Sequence, residues 1–265
     1  MTETQIIIFG IAFIFVMTTS GSALIYFFKN GITPKLNTIF LGFAAGIMIA
    51  ASIWSLLIPA IERSEEWGSF AFIPAALGFL LGGLFLFAID KIVPHFHSET
   101  HQEEGVKNKL SRSTKLFLAM TIHNIPEGLA VGFAFGVALA TQGTLQTVSL
   151  ASGLSLAIGI GLQNFPEGAA VSLPMAEELG SKHKAFLFGA FSGVVEPIAA
   201  VVGLVLAASI APLIPWFLAF AAGAMIYVVV EELIPEGHMN EYGHLATWSV
   251  MLGFVIMMIL DVALG

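Results

Sequence analysis

Eight apolar segments restrict this chain more than any motif does. They run over roughly 5–28, 36–61, 68–93, 116–140, 145–176, 185–209, 213–234 and 245–264. Each is close to the ~20 residues that carry a helix across ~30 Å of hydrocarbon. In lipid every backbone N–H and C=O must be bonded within the protein, so a spanning chain is helical or a closed barrel. Barrel strands alternate apolar and polar residues, and no such alternation is seen. The chain is 57% hydrophobic and 11% charged, against about 25% charged in a soluble domain. The expected fold is therefore an all-α integral membrane protein, a bundle of eight transmembrane helices. Residues 1–265 read as a single transmembrane domain with one long polar loop, 94–115.

The basic residues set the orientation. Lys29 and Lys35 follow the first segment, Lys91, Lys107, Lys109, Arg112 and Lys115 surround the third connection, and Lys182 and Lys184 lie in the fifth. Only Arg63 falls on the other side, so nine of the ten basic residues share one face. By the positive-inside rule that face is cytoplasmic and both termini are extracytoplasmic. No Lys or Arg precedes the first segment, which argues for a retained helix rather than a cleaved signal. The protein is expected to be multi-pass in the cell (inner) membrane. No basic patch with interleaved aromatics supports nucleic-acid binding. Cysteine is absent, which excludes disulfides and thiolate ligands together.

Against this apolar background one polar pattern occurs twice. His123-Asn124-Ile125-Pro126-Glu127-Gly128 recurs forty residues later as Gln163-Asn164-Phe165-Pro166-Glu167-Gly168. A charged group at the bilayer centre costs about 2.5–3.5 kcal/mol or more, so its repetition points to a polar cargo. Residues i and i+4 share a helix face, which aligns His123 with Glu127 and Gln163 with Glu167. Pro126 and Pro166 have no N–H to give and crowd the carbonyls of Ile122 and Leu162. Kinked helices with free carbonyls beside acids are a recurring cation-binding device at mid-membrane. With a rise of ~1.5 Å per residue, His123, Gln163, Glu167, Glu196 and Met48 fall in one layer near the midplane. Glu231 and Glu232 fall nearer the cytoplasm, as an inner vestibule.

Carboxylates, an imidazole, amides and a thioether suit a divalent transition metal better than magnesium or calcium. Zinc fits best, followed by iron, manganese and cadmium. These ions are cargo; no cofactor is expected. Plainer readings exist for single residues: an interhelical hydrogen bond for His123, a neutral buried acid for Glu196, packing for Met48. They do not account for the repeated hexapeptide. His95, His97 and His101 stand among acids in the 94–115 loop and read equally as a loose metal tract or a solvated loop. Asp90 and Asp261 fall at helix ends and call for no special role. Glycines at four-residue spacing, Gly42/Gly46, Gly78/Gly82, Gly132/Gly136 and Gly189/Gly193, predict close helix contacts.

At these motifs the chain resembles the ZIP family of divalent-metal transporters, most closely its bacterial GufA-like branch. The resemblance also covers Ser192-Gly193-Val194-Val195-Glu196-Pro197 and Glu231-Glu232-Leu233-Ile234-Pro235-Glu236. It implies a two-metal site. One ion would be held by Met48, His123, Glu127, Gln163 and Glu167. The other would be held by Asn124, Glu127, Asn164, Glu167 and Glu196. It further implies a homodimer, uptake into the cytoplasm, and spans one, four, five and six moving as a unit against spans two, three, seven and eight. Many family members carry His where this chain has Gln163, and some carry His at Glu231. The lead function is thus zinc-preferring transport. A metal-permeable channel is the alternative, and an intramembrane metallohydrolase ranks lower because no H-E-x-x-H run exists. No enzymatic activity is expected.

Overall fold

The structure, a computed structural model, describes residues 1–28, 33–93, 95–96, 103–104, 110–238 and 242–264. Among the described residues, eight helices are long and apolar enough to cross a membrane. Spans one to four are Glu3–Tyr26, Pro34–Glu62, Phe72–Ile92 and Thr114–Leu139, and spans five to eight are Gln146–Ala176, Lys182–Ser209, Ala211–Gly237 and Gly243–Leu264. His97 and His101 lie outside the described residues. His95 belongs to a two-residue antiparallel pairing, His95–Phe96 with Glu103–Glu104.

Local sequence starts and stops these helices. Thr2 and Gln5 form a capping box, in which the Gln5 amide donates to Thr2 Oγ1 and the Thr2 amide to Gln5 Oε1. Each satisfies a backbone donor that the first turn leaves unpaired. Thr33, Ser111 and Ser181 accept from backbone amides at the starts of spans two, four and six. Gly180, with φ 59°, ends span five in the left-handed conformation, where a Cβ would be strained.

The prolines act in two ways. The helices of spans four and five continue on both sides of Pro126 and Pro166. Spans two and seven instead widen into π-helical turns, Ser52–Leu57 and Val229–Leu233. Each is followed by the same Ile-Pro step, Ile58-Pro59 and Ile234-Pro235. The proline cannot bond to the carbonyl four residues back, and a wide turn absorbs the mismatch. Span six breaks at Gly193-Val194, just before Glu196.

The glycine pairs are seams. A Cβ on Gly46 would collide with the Val250 carbonyl of span eight, and one on Gly82 with the Phe220 carbonyl of span seven. Gly132 seats against Ala200 of span six, and Gly189 against Ser22 of span one. The seams join spans two to eight, three to seven, four to six and one to six. The glycines of the two hexapeptides belong to the same pattern. A side chain on Gly128 would strike the Glu196 carbonyl, and one on Gly168 the Thr18 carbonyl. Spans four and five are thereby pressed against spans six and one. Contact between this group and spans two, three, seven and eight relies more on side chains. One example is the stack of Phe133 on Phe217, with centroids 5.1 Å apart and 11° between planes.

Candidate metal centre

Spans four and five bring the two hexapeptides together in the buried interior. His123, Asn124, Glu127, Gln163, Asn164, Glu167 and Glu196 are all buried. Gln163 Nε2 donates to Glu127 Oε1 at 2.8 Å, which ties the second motif to the acid of the first. Asn164 Nδ2 donates to Glu196 Oε2 at 2.8 Å, and Thr18 Oγ1 to Glu196 Oε1 at 2.6 Å. Asn124 Nδ2 donates to the Ser192 carbonyl at 3.0 Å, across to the end of the first half of span six. His123 Nε2 lies 3.0 Å from Glu232 Oε1 of span seven.

Three oxygens of this cluster are buried without a protein partner among the described residues: Glu127 Oε2, Gln163 Oε1 and Asn164 Oδ1. Buried acceptors left unpaired are expensive, on the order of 1–3 kcal/mol each. All three belong to the repeated motif, and all three are hard donors of the kind a divalent cation accepts. Among the described residues no three acidic or imidazole side chains converge into a ready-made cage. The set of donors is complete only with the amides. An amide that donates through its N–H₂ group leaves its oxygen facing the other way.

A cavity of about 230 Å³ reaches His123, Glu127 and Glu167. It runs between spans two, four, five and seven to the end of the bundle carrying Pro34, Leu116 and Glu236, and Glu232 lines it midway. Met48 is fully buried but belongs to the apolar core of span two. Glu231, expected beside Glu232 in the vestibule, is exposed and does not line this cavity. On the opposite side a second cavity of about 590 Å³ is lined by Ser55, Glu62, Arg63, Glu65, Ser149 and Ser152 among others. Between the two levels span five presents Leu156, Ala157 and Ile160, and span four Ala130 and Val131, all fully buried. The path is thus open toward one end and sealed toward the other.

Sequence reading passed over two acids. Asp90 and Asp261 stand near helix ends, as expected, and both are buried. Asp261 accepts from Ser55 Oγ at 2.7 and 2.9 Å, beside the second cavity. The matching positions of Asp90 and Asp261, near the C-terminal ends of spans three and eight, were a usable signal. Thr18, buried in a span with no motif, left none.

This architecture has known counterparts. The family model for the ZIP zinc transporter matches residues 97–261. Zinc transporter ZIP11 of Xenopus tropicalis is 38% identical, covering 94% of this chain and 94% of its own length. The chain belongs to the ZIP family. Zinc transporter ZIP11 of Homo sapiens is 36% identical over 97% of this chain and 96% of its own, and zinc transporter GufA of Myxococcus xanthus 39% identical over 80% and 81%. The GufA likeness agrees with the branch expected from the motifs. As a ZIP protein with eight apolar helices, the chain is a multi-pass protein of the cell membrane and a divalent-metal transporter. The family and these relatives are named for transport, not for catalysis.

Proposed function

We propose that this ZIP protein carries zinc into the cytoplasm through the cluster built from its two hexapeptides. The observation that carries the reading is the trio of partnerless oxygens on Glu127, Gln163 and Asn164. They sit where an imidazole and two further carboxylates, Glu167 and Glu196, stand within the same buried group. Water lost by the ion is replaced by these fixed donors, which lowers the barrier to entering a low-dielectric interior. Glu127 and Glu167 are the bridging ligands of a two-ion site, with His123 and Gln163 on one side and Asn124, Asn164 and Glu196 on the other. Met48 lies in the apolar core of span two, and this reading needs no ligand from it.

The ion then leaves by the inner cavity. His123, already paired to Glu232, hands it to that carboxylate, and Glu236 lies further along the wall. Return to the other side requires the sealed half to open. Glycine seams hold spans one, four, five and six together, and separately join two to eight and three to seven. That division favours one group sliding against the other, with the whole chain acting as one transmembrane unit. Purified protein in proteoliposomes should show saturable zinc flux, reduced by competing iron, manganese or cadmium. Flux that fails to saturate would favour a channel, and no zinc flux at all would defeat the proposal.

A further inference from the structure

Thr18 enters the cluster from span one, outside both motif helices. Its hydroxyl has two acceptors within reach: Glu196 Oε1 at 2.6 Å and the Ile14 carbonyl at 3.1 Å. One hydroxyl carries one proton, and the shorter contact, to the carboxyl group of Glu196, is the stronger. The other oxygen of Glu196 accepts from Asn164 Nδ2 at 2.8 Å. An amide that donates through its nitrogen presents its oxygen to the other side, and Asn164 Oδ1 is one of the partnerless atoms.

The surrounding backbone keeps room for this chain of contacts. A Cβ on Gly193 would approach both Thr18 Cγ2, at 2.9 Å, and Glu196 Oε1, at 3.0 Å. The Thr18 carbonyl is itself seated against Gly168, next to Glu167. Span one is therefore held at a fixed height against the second hexapeptide.

We propose that Thr18 is a positioning residue for the cation site: its hydroxyl sets the rotamer of Glu196, and through Glu196 the direction of the free oxygen of Asn164. This rests on the reading of Glu196 and Asn164 as cation donors.

The test uses the full chain, purified, with zinc affinity measured by titration against a chromophoric chelator. Partners that orient a metal ligand are typically worth about 10–100-fold in affinity. Thr18→Val keeps the shape and removes the hydroxyl, and is expected to raise the zinc Kd by about tenfold or more. Thr18→Ser restores the hydroxyl and is expected to restore the affinity. In a Glu196→Gln background Thr18→Val should add little, because the two act through one contact. A packing role alone predicts the reverse order, with Val neutral and Ser impaired by the missing methyl. Wild-type affinity in Thr18→Val, or Ser no better than Val, overturns the inference. Should Thr18→Val not fold, Thr18→Ala against Thr18→Ser decides by the same comparison. Wild-type zinc affinity in Glu196→Gln overturns instead the reading beneath, and the inference with it.

Discussion

Gln163 holds Glu127 by a 2.8 Å hydrogen bond from its amide nitrogen, so the two copies of the hexapeptide meet through the amide that only the second carries and the acid that both share. The first copy supplies His123 where the second supplies Gln163, and only the amide can both donate to a carboxylate and offer an oxygen to a cation. Replacing it by imidazole exchanges a neutral oxygen donor for a softer nitrogen one. Gln163→His is expected to raise the preference for zinc over manganese. Competition of manganese against radiolabelled zinc uptake checks this; an unchanged ratio would place Gln163 outside the ion's coordination.

Glu127 and Glu167 are the acids that both proposed ion positions share. Truncating either removes ligands from two positions at once. Glu127→Ala and Glu167→Ala are expected to abolish zinc uptake in metal-starved cells while leaving membrane expression intact. Wild-type uptake by both variants would remove the basis of the assignment.

Acidification should weaken zinc binding. A ligating imidazole must be neutral and ligating carboxylates ionised, so protons compete with the ion. For His123 the competition is direct. A proton on the ring strengthens its pairing with Glu232, 3.0 Å away, and removes a lone pair from the ion. Zinc affinity measured at neutral and mildly acidic pH is expected to fall toward acid, and His123→Gln to flatten that fall. A steeper dependence in His123→Gln would contradict the role given to the ring.

Gly128 and Gly168 explain why the repeated motif ends in glycine. Each faces a backbone carbonyl of a neighbouring span, Glu196 for one and Thr18 for the other. Backbone has little freedom to yield, unlike the end of a flexible side chain. Gly128→Ala and Gly168→Ala are each expected to destabilise by about 1–3 kcal/mol, the usual range for overpacking. The readout is a lower melting temperature in detergent. Gly143, with open space around it, is a control position for packing, though its φ of 65° makes any side chain there strained.

Much of this was legible in the residues alone. Span number and approximate limits follow from the length of apolar runs, because lipid leaves the backbone no alternative to the helix. The motif residues of spans four and five were found by repetition, and the structure brings them into one buried cluster. What escaped was set by tertiary contact. Leu233-Ile234-Pro235 and Leu57-Ile58-Pro59 give no hint, as sequence, that the turn before each proline widens. Glu231 and Glu232 are adjacent and identical, yet the wide turn aims only Glu232 at His123. Asp261 stands at a helix end, as read, but its partner Ser55 lies more than two hundred positions away and left no local trace. Thr18 is ordinary until the packing of span one on Gly168 places it beside Glu196.

The sealed and open ends of the path can be told apart chemically, because the chain contains no cysteine. Any introduced thiol is then the sole target of a maleimide. Ala170 lines the inner cavity and Ser152 the opposite one. If the cytoplasmic face is the one expected from the basic residues, Ala170→Cys reacts with a membrane-impermeant maleimide only from that face. Ser152→Cys is expected to react only from the outside. Saturating zinc should protect Ala170→Cys, since the ion and the reagent would share the wall that carries Glu167. Labelling on sealed right-side-out and inside-out vesicles reads both sides. If Ala170→Cys reacted from the outside and Ser152→Cys from the cytoplasm, both termini would have to be cytoplasmic and the direction of transport through this open state would be reversed.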